Sequence, residues 1–325
     1  MTELRVFLGT DSDWDQLLLQ LGNASIYSSH KWSGVMASSG WSSLRLVTAN
    51  QKCALQVFYK KISFLLAIAW IPGGFAGTTE QIWNSWGRDI QRHLASRSTY
   101  VRIAFPNHKI VNLHADSSWN EVESPMGAQK TVVIDLSKPH EQLREDLRPN
   151  WRRNLRRSEN FSLSVRTLGD SDTAAINHLE DTVMHYKQLP SRTSRHGGDT
   201  VELLGEHALT LGVFDEASRL LSVRGAAIFG DTARDIVAAT SPEGRRVYAS
   251  YLATWALLSM LKDRGLTSFD LSGIDDLQNK GVSDFKRGLG GAEFAYLAEY
   301  HQTTPHWLVQ PVARLIQFRL HGISS

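Results

Sequence analysis

Three β-prone stretches, a helix and a further strand follow one another twice along this chain, offset by roughly 170 residues. In the first copy SSLRLVTA, CALQVFYKK and ISFLLAIAWI precede the turn PGGFAG. The helix after that turn begins at Thr78 or Thr79, where Thr78 and Gln81 fit a capping box. It carries Ile82, Trp83, Trp86, Ile90 and Leu94 along one stripe, and TYVRIAF is the strand that follows. In the second copy ALTLGVFD, LLSVRGAAIFG and DIVAATS precede a helix from Val247. Tyr248, Tyr251, Leu252, Trp255, Leu258 and Leu261 share one side of it. Gly265 ends it after Lys262 and Arg264, cations suited to the negative end of the helix dipole, and SFDLSGI is the next strand. Two similar α/β (α+β) domains in tandem account for this repeat better than one large sheet.

A length of 325 residues exceeds the usual single core and agrees with two domains. The boundary is expected before KPHEQLREDLRPNWRRNLRRSEN, a helical segment broken near Pro149. Residues 1–138 then form the first domain and 139–302 the second. Within 303–325, TPHWLVQPVARLIQFRL reads as an amphipathic helix that packs back on the first domain. A hydrophobic content of 42% with 21% charged residues excludes a disordered chain. The net charge of +2 decides nothing about partners, but its distribution does: Arg144, Arg148, Arg152, Arg153, Arg156 and Arg157 fall within fourteen residues, against Glu145 and Asp146 alone. Cys53 is the single cysteine, so an internal disulfide is impossible. The start MTELRVFLGTDSDWD has acids where a signal peptide has cations, and the longest apolar run, about ten residues, is too short to span a bilayer. A cytoplasmic protein without stable membrane insertion is expected.

Signatures of acid–base, nucleophilic and metal catalysis are absent. There is no HExxH, GxSxG or paired CxxC, and the twelve histidines lack ligand spacing. GGFAGTT has no P-loop lysine. No metal or cofactor is implied. A coenzyme A site of the acetyltransferase type needs a glycine-bearing turn at a helix start, where free N–H groups meet the pyrophosphate. The second copy has RRVYAS there, with Tyr248 where glycine would let the backbone reach a phosphate, and PGGFAG in the first lacks a matching cation.

Several stretches together resemble the FemABX family of aminoacyltransferases. They are TVVIDLSKPHEQLREDLRPNWRRNLRRSE, YLATWALLSMLKDRGLTSFDLSGI, and GVSDFKRGLGG followed by FAYLAEY, with weaker matches at SSHKWSGVMASSGW and AIAWIPGG. The resemblance spans nearly the whole chain and is firm from Thr131 to Tyr300. It implies two tandem domains of GNAT-like (acyl-CoA N-acyltransferase) fold. It also implies transfer of an amino acid from aminoacyl-tRNA to an amine on a peptide, muropeptide or other peptidoglycan precursor, or small metabolite. An aminoacyl ester is already activated, so such a reaction asks chiefly for positioning and oxyanion stabilisation. That fits the absence of acid–base, nucleophile and metal motifs.

By the same resemblance Lys286 is the catalytic candidate, in a segment read as a strand with Phe285 on its opposite face and glycines that admit the RNA backbone. The other reading is a solvated cation at a strand entrance with the glycines serving a bulge. Arg152, Arg153, Arg156 and Arg157 are candidate tRNA contacts or a solvated helix face. Lys31, Trp32, Arg192, Arg195, Tyr248 and Phe285 are the candidate substrate-binding residues, Arg192 and Arg195 forming either a diphosphate clamp or a basic loop. Two departures bear on the acceptor: Val35 and Met36 stand after Trp32 where muropeptide-binding members carry a lysine, and Phe105 rather than an aspartate precedes Pro106. Asp270 and Trp255 read as structural. The other classes are an acyl-CoA-dependent N-acyltransferase acting on an amino sugar or other amine, and a non-catalytic RNA- or peptide-binding protein.

Overall fold

The computed structural model describes residues 3–63, 65–78, 83–107, 118–188 and 196–305, which fall into two units. The first unit opens with strand β1 (Leu4–Val6), helix α1 (Asp11–Leu21) and helix α2 (His30–Ala37). Thr10 starts α1 with a capping box: its hydroxyl accepts from the Asp13 N–H while the Asp13 carboxylate accepts from the Thr10 N–H. Then come β2 (Ser42–Thr48), β3 (Cys53–Lys61), β4 (Leu66–Ile71), β5 (Ala76–Gly77), α3 (Trp83–Leu94), β6 (Ser98–Phe105) and β7 (Asn120–Glu121). β1 to β4 pair antiparallel in chain order, whereas β4 and β6 run parallel with α3 as their crossover. Alternation along the strands turns Leu55, Val57, Ala67, Ala69, Ile71, Val101 and Ile103 toward one face, where Trp86, Ile90 and Leu94 of α3 close the core. On the opposite face Gln56 donates from Nε2 to the Ser29 carbonyl and to Ser33 Oγ, holding α2 against the sheet.

The second unit contains β8 (Lys130–Asp135), α4 (His140–Asp146), α5 (Pro149–Ser158), β9 (Ser164–Leu168), α6 (Thr173–Tyr186) and α7 (Gly197–Leu204). It continues through β10 (Ala208–Phe214), β11 (Leu220–Phe229), β12 (Thr232–Thr240), α8 (Pro242–Arg246), α9 (Ala249–Asp263), β13 (Ser268–Ile274), α10 (Lys280–Arg287) and β14 (Ala292–Ala295). The sheet order is β14-β8-β13-β12-β11-β10-β9. One face buries Leu209, Leu211, Ala226 and Phe269 under α4, α5 and α9; the other buries Val223, Val237 and Ala239 under α6 and α7. β12 and β13 pair in parallel at Thr232–Ser268, Ala233–Phe269 and Arg234–Asp270, and there the pairing ends. Both strands run on beyond that point, so the sheet splays between them.

The repeat read from the sequence is therefore present in both units, but the boundary is not where the composition placed it. β8 belongs to the second sheet, which moves the division from 138/139 back to 129/130. The last strand, β15 (Leu297–Thr304), returns to the first sheet between β6 and β7 instead of completing the second domain. Helices α1 and α2 had no strong periodic signal and were not anticipated. The C-terminal helix read within 303–325 lies outside the described residues beyond Pro305, as do Thr79, Gln81 and Ile82 of the helix start.

Cys53 begins β3 and is fully enclosed, and burial pushes its thiol pKa up. A thiol reagent added to the native protein at pH 8 is expected to react only as fast as the first unit unfolds. Labelling followed across a denaturant series should track loss of tryptophan fluorescence, with no fast native-state phase.

Candidate active site

The splay between β12 and β13 has a local cause. β13 is bulged against β8 between Asp270 and Gly273, and Ser272 sits at φ 58, in left-handed backbone. Beside this bulge Lys286 meets the Ser272 and Gly273 carbonyls: its Nζ donates at 3.1 Å to the first and 2.8 Å to the second. Ser272 is itself pinned, its N–H donating to Asp270 Oδ1 at 2.8 Å and its hydroxyl to the Asp235 carbonyl at 2.6 Å. Asp270 is held in turn by Thr131 and by Arg234 at 2.7 Å. The structural role read for Asp270 matches these bonds, and Trp255 packs against the core under α9.

Lys286 does not lie on a strand. GVSDFKR forms the amphipathic helix α10, in which Ser283 and Lys286 share the buried side and Lys280 pairs outward with Asp284. Phe285 thus points about 100° from Lys286, not to an opposite face. Arg287 is tied at 2.7 Å to Glu293 and paired also with Asp276, which holds its pKa well above the ordinary arginine value and marks it as an anchor of the segment. The glycines have a packing role: a Cβ on Gly288 would stand 2.6 Å from the Trp151 ring, on Gly290 2.2 Å from the Asp146 carbonyl, and on Gly291 2.5 Å from the Val133 carbonyl. They let α10 and β14 press against α4, α5 and β8, and they face protein rather than RNA.

Lys286 is only 8% exposed, and that burial draws its pKa down; Asp235 opposes the shift and Arg224 reinforces it. Asp235 on β12 is buried, which pushes its carboxyl up against the pull of Arg224 and Lys286. Its Oδ2 lies 3.3 Å from Arg224 Nη1 on β11, while Arg224 Nε donates to Thr254 Oγ1 at 3.0 Å. Sequence reasoning missed this pair. The available signal was Arg224 alone inside the apolar LLSVRGAAIFG and Asp235 opening the apolar DIVAATS, since a buried charge needs a partner.

An aromatic ladder leads outward from this cluster. The Arg224 guanidinium stacks 5.5 Å from the Phe285 ring centroid, Phe285 lies 5.1 Å from Tyr251 and 5.6 Å from Trp151, and Tyr251 lies 6.2 Å from Tyr248. Tyr248 occupies φ 58 immediately before α9, a slot glycine normally takes, and its hydroxyl accepts from Arg157 Nη1 at 3.0 Å. Lys286, Phe285, Tyr248 and Arg157 therefore lie in one unit, the last three linked through Tyr251. Of the other arginines of α5, Arg153 and Arg156 are exposed, whereas Arg152 donates to the Glu145 and Leu147 carbonyls at the end of α4. Arg152 thus caps the preceding helix.

Lys31 and Trp32 lie on α2 in the first unit. Ser29 Oγ accepts from the Trp32 N–H, and the Trp32 ring stands 4.7 Å from Tyr27 with its Nε1 buried and unpartnered. Val35 and Met36 are buried on the same helix, and Phe105 is core. Arg192 and Arg195 lie outside the described residues. Among the described residues no group of His, Cys, Asp and Glu has the arrangement of a metal site, and no helix is long and apolar enough to cross a membrane.

Two tandem domains of GNAT-like fold make up this chain, an architecture shared with several solved structures. It is similar to FemX, with a TM-score of 0.79 at 13% identity over 95% of this chain and 100% of that one, and so has the FemABX-type fold. It is also similar to L-PGS from Bacillus licheniformis (TM-score 0.57, 10% identity, 90% of this chain and 91% of that one). A tandem GNAT protein from the clavulanic acid biosynthesis pathway gives 0.54 at 11% identity, covering 93% and 98%. No family model and no curated protein sequence matches.

Gly290 combines φ +82 with the Asp146 carbonyl where a Cβ would be. Gly290→Ala should lose about 2–4 kcal/mol of stability by strain and overpacking. Chemical denaturation compared with Gly281→Ala, where no atom lies within 4 Å, measures it, and the Gly281 variant should stay near wild type.

Proposed function

We propose that this protein is an aminoacyl-tRNA-dependent aminoacyltransferase that forms an amide bond on an amine of a peptide, peptidoglycan precursor or small metabolite. The observation that carries the reading is the state of Lys286. An ammonium has three N–H donors, and the two hydrogen bonds to the Ser272 and Gly273 carbonyls leave one unassigned. The group is fixed by neutral oxygens, in a buried setting where a charge acts strongly. In the reaction the acceptor amine attacks the ester carbonyl and the third N–H meets the oxyanion as it forms. The tetrahedral species then breaks its C–O bond, and the terminal ribose hydroxyl leaves carrying the proton the amine gives up. No further acid or base is demanded of the protein beyond solvent exchange of that proton.

Several features support tRNA as the donor. Arg153, Arg156 and Arg157 lie on α5 with no acid within the helix, and Tyr248 and Arg157 mark the outer end of the aromatic ladder that starts at Arg224 and Phe285. Ring faces of this kind accept a terminal base by stacking. The FemX-like and L-PGS-like folds agree with the same chemistry. An acyl-CoA donor is less well served, because Tyr248 fills the left-handed position that a backbone cradle for pyrophosphate would give to glycine. Trp32 and Lys31 are proposed for the acceptor, as are, independently and by the resemblance alone, Arg192 and Arg195.

Incubation with mixed charged tRNA and a metabolite extract should give incorporation of labelled amino acid that RNase abolishes; incorporation from acyl-CoA instead would replace this reading. Lys286→Met keeps the stem and should lower transfer by about 10²–10³, measured at a temperature where the variant is folded, because its melt falls as two carbonyls lose their donor. Full activity in that variant would remove Lys286 from the mechanism.

Replacing Arg153, Arg156 and Arg157 together with glutamine should weaken tRNA binding and flatten its salt dependence, each lost phosphate contact removing about 0.7–0.9 from the log–log slope. Arg152→Gln should leave that slope unchanged and lower the melting temperature, since its bonds are to the end of α4. Filter binding across a salt series distinguishes the two.

A further inference from the structure

We propose that Arg224 and Asp235 form a recognition site for an α-aminoacyl group, Asp235 accepting from the free α-ammonium and Arg224 donating to the adjacent carbonyl, so that donors with a blocked amino group are rejected. The inference rests on the placement of Lys286 at the reacting carbonyl, and it adds a specificity that the transfer reaction alone does not require.

The two side chains are each bound on one side only. Arg224 uses Nε on Thr254 and Nη1 toward Asp235, but its Nη2 is buried with no partner. Asp235 uses Oδ2 toward Arg224, and its Oδ1 is buried with no partner. Their side chains are 8% and 6% exposed, so neither atom is satisfied by bulk water. A dry guanidinium N–H beside a dry carboxylate oxygen is unfavourable for the free protein. Within this ion pair one donor and one acceptor are thus left unused. A group that fills both carries an acceptor oxygen and a donor nitrogen about three bonds apart, as an α-ammonium and its carbonyl oxygen do. An acetyl group has only the first.

Charge agrees with this assignment. Arg234 and Asp270 pair with each other, which leaves Lys286 and Arg224 against Asp235. Two cations alone would repel an ammonium, and Asp235 offsets that repulsion. A bound aminoacyl group then adds one positive charge at Asp235, and the transition state adds one negative charge at the carbonyl. Phe285, stacked under the Arg224 guanidinium, fixes the plane of that donor.

The test uses stable mimics of the donor end: 3′-deoxy-3′-aminoacylamino adenosines carrying alanyl, seryl, leucyl or lysyl groups, each also as its Nα-acetyl derivative. Calorimetry on the whole wild-type chain should show the best free-amine compound binding roughly 10- to 100-fold more tightly than its acetylated form, the scale of one charge-assisted hydrogen bond. Asp235→Asn should remove most of that ratio while the acetylated compound binds as before, an outcome that a merely structural role for Asp235 does not produce. Equal affinities in the wild type overturn the proposal whatever the variant does, and so does failure of all four free-amine compounds to bind. If Asp235→Asn does not fold, the wild-type ratio decides. Transfer from charged tRNA, assayed in parallel, reports on the function itself: transfer with equal affinities removes the specificity and leaves the reaction standing.

Discussion

The bond from Lys286 to two backbone carbonyls organises the second unit. The lysine gives a donor to two carbonyls beside the bulge in β13, and a buried carbonyl without a donor is unfavourable, so the bulge and the lysine stabilise one another. Holding an ammonium with neutral oxygens rather than with a carboxylate at contact distance leaves its charge unspent. The surrounding elements serve that arrangement. Asp270 and the Asp235 carbonyl hold Ser272 in its left-handed conformation, and Gly288, Gly290 and Gly291 let α10 come close enough for the lysine to reach.

The arginine-rich helix divides its cations by direction. Trp151 and Leu155 face the core, which turns Arg153 and Arg156 outward and sends Arg152 back over the end of α4. A count of charges along the segment cannot see this difference, because whether an arginine is free for phosphate depends on what lies one turn before it. Arg157 takes a third course, over the Tyr248 ring, where it is both stacked and hydrogen-bonded. This joins the basic helix to the aromatic residues that run inward to Phe285.

Much of the architecture was legible because it rests on strong periodicity. The stripe Trp86, Ile90 and Leu94 and the alternation in CALQVFYKK are local patterns that the packing simply completes. Lys286 was found through motif resemblance, but its secondary structure was misread: glycines after Arg287 suggested a bulged strand, whereas the spacing of Ser283 and Lys286 and the Lys280–Asp284 pair are helical signals. Arg224 and Asp235 were hidden because their pairing spans two strands whose register no single segment encodes. The exchange of β8 and β15 was invisible for the same reason, as edge and central strands of this length look alike in sequence.

That exchange affects how the chain comes to be folded. The first sheet lacks the strand between β6 and β7 until Leu297–Thr304 has been made, by which time every strand of the second sheet already exists. During synthesis, which usually folds the N-terminal domain first, the first sheet therefore stays incomplete, with β6 unpaired along one edge, until the second unit has been made. An open strand edge invites pairing with other chains, so the N-terminal half is the part of this protein that most needs protection during synthesis. A truncation that stops at the end of the second unit leaves that half permanently incomplete.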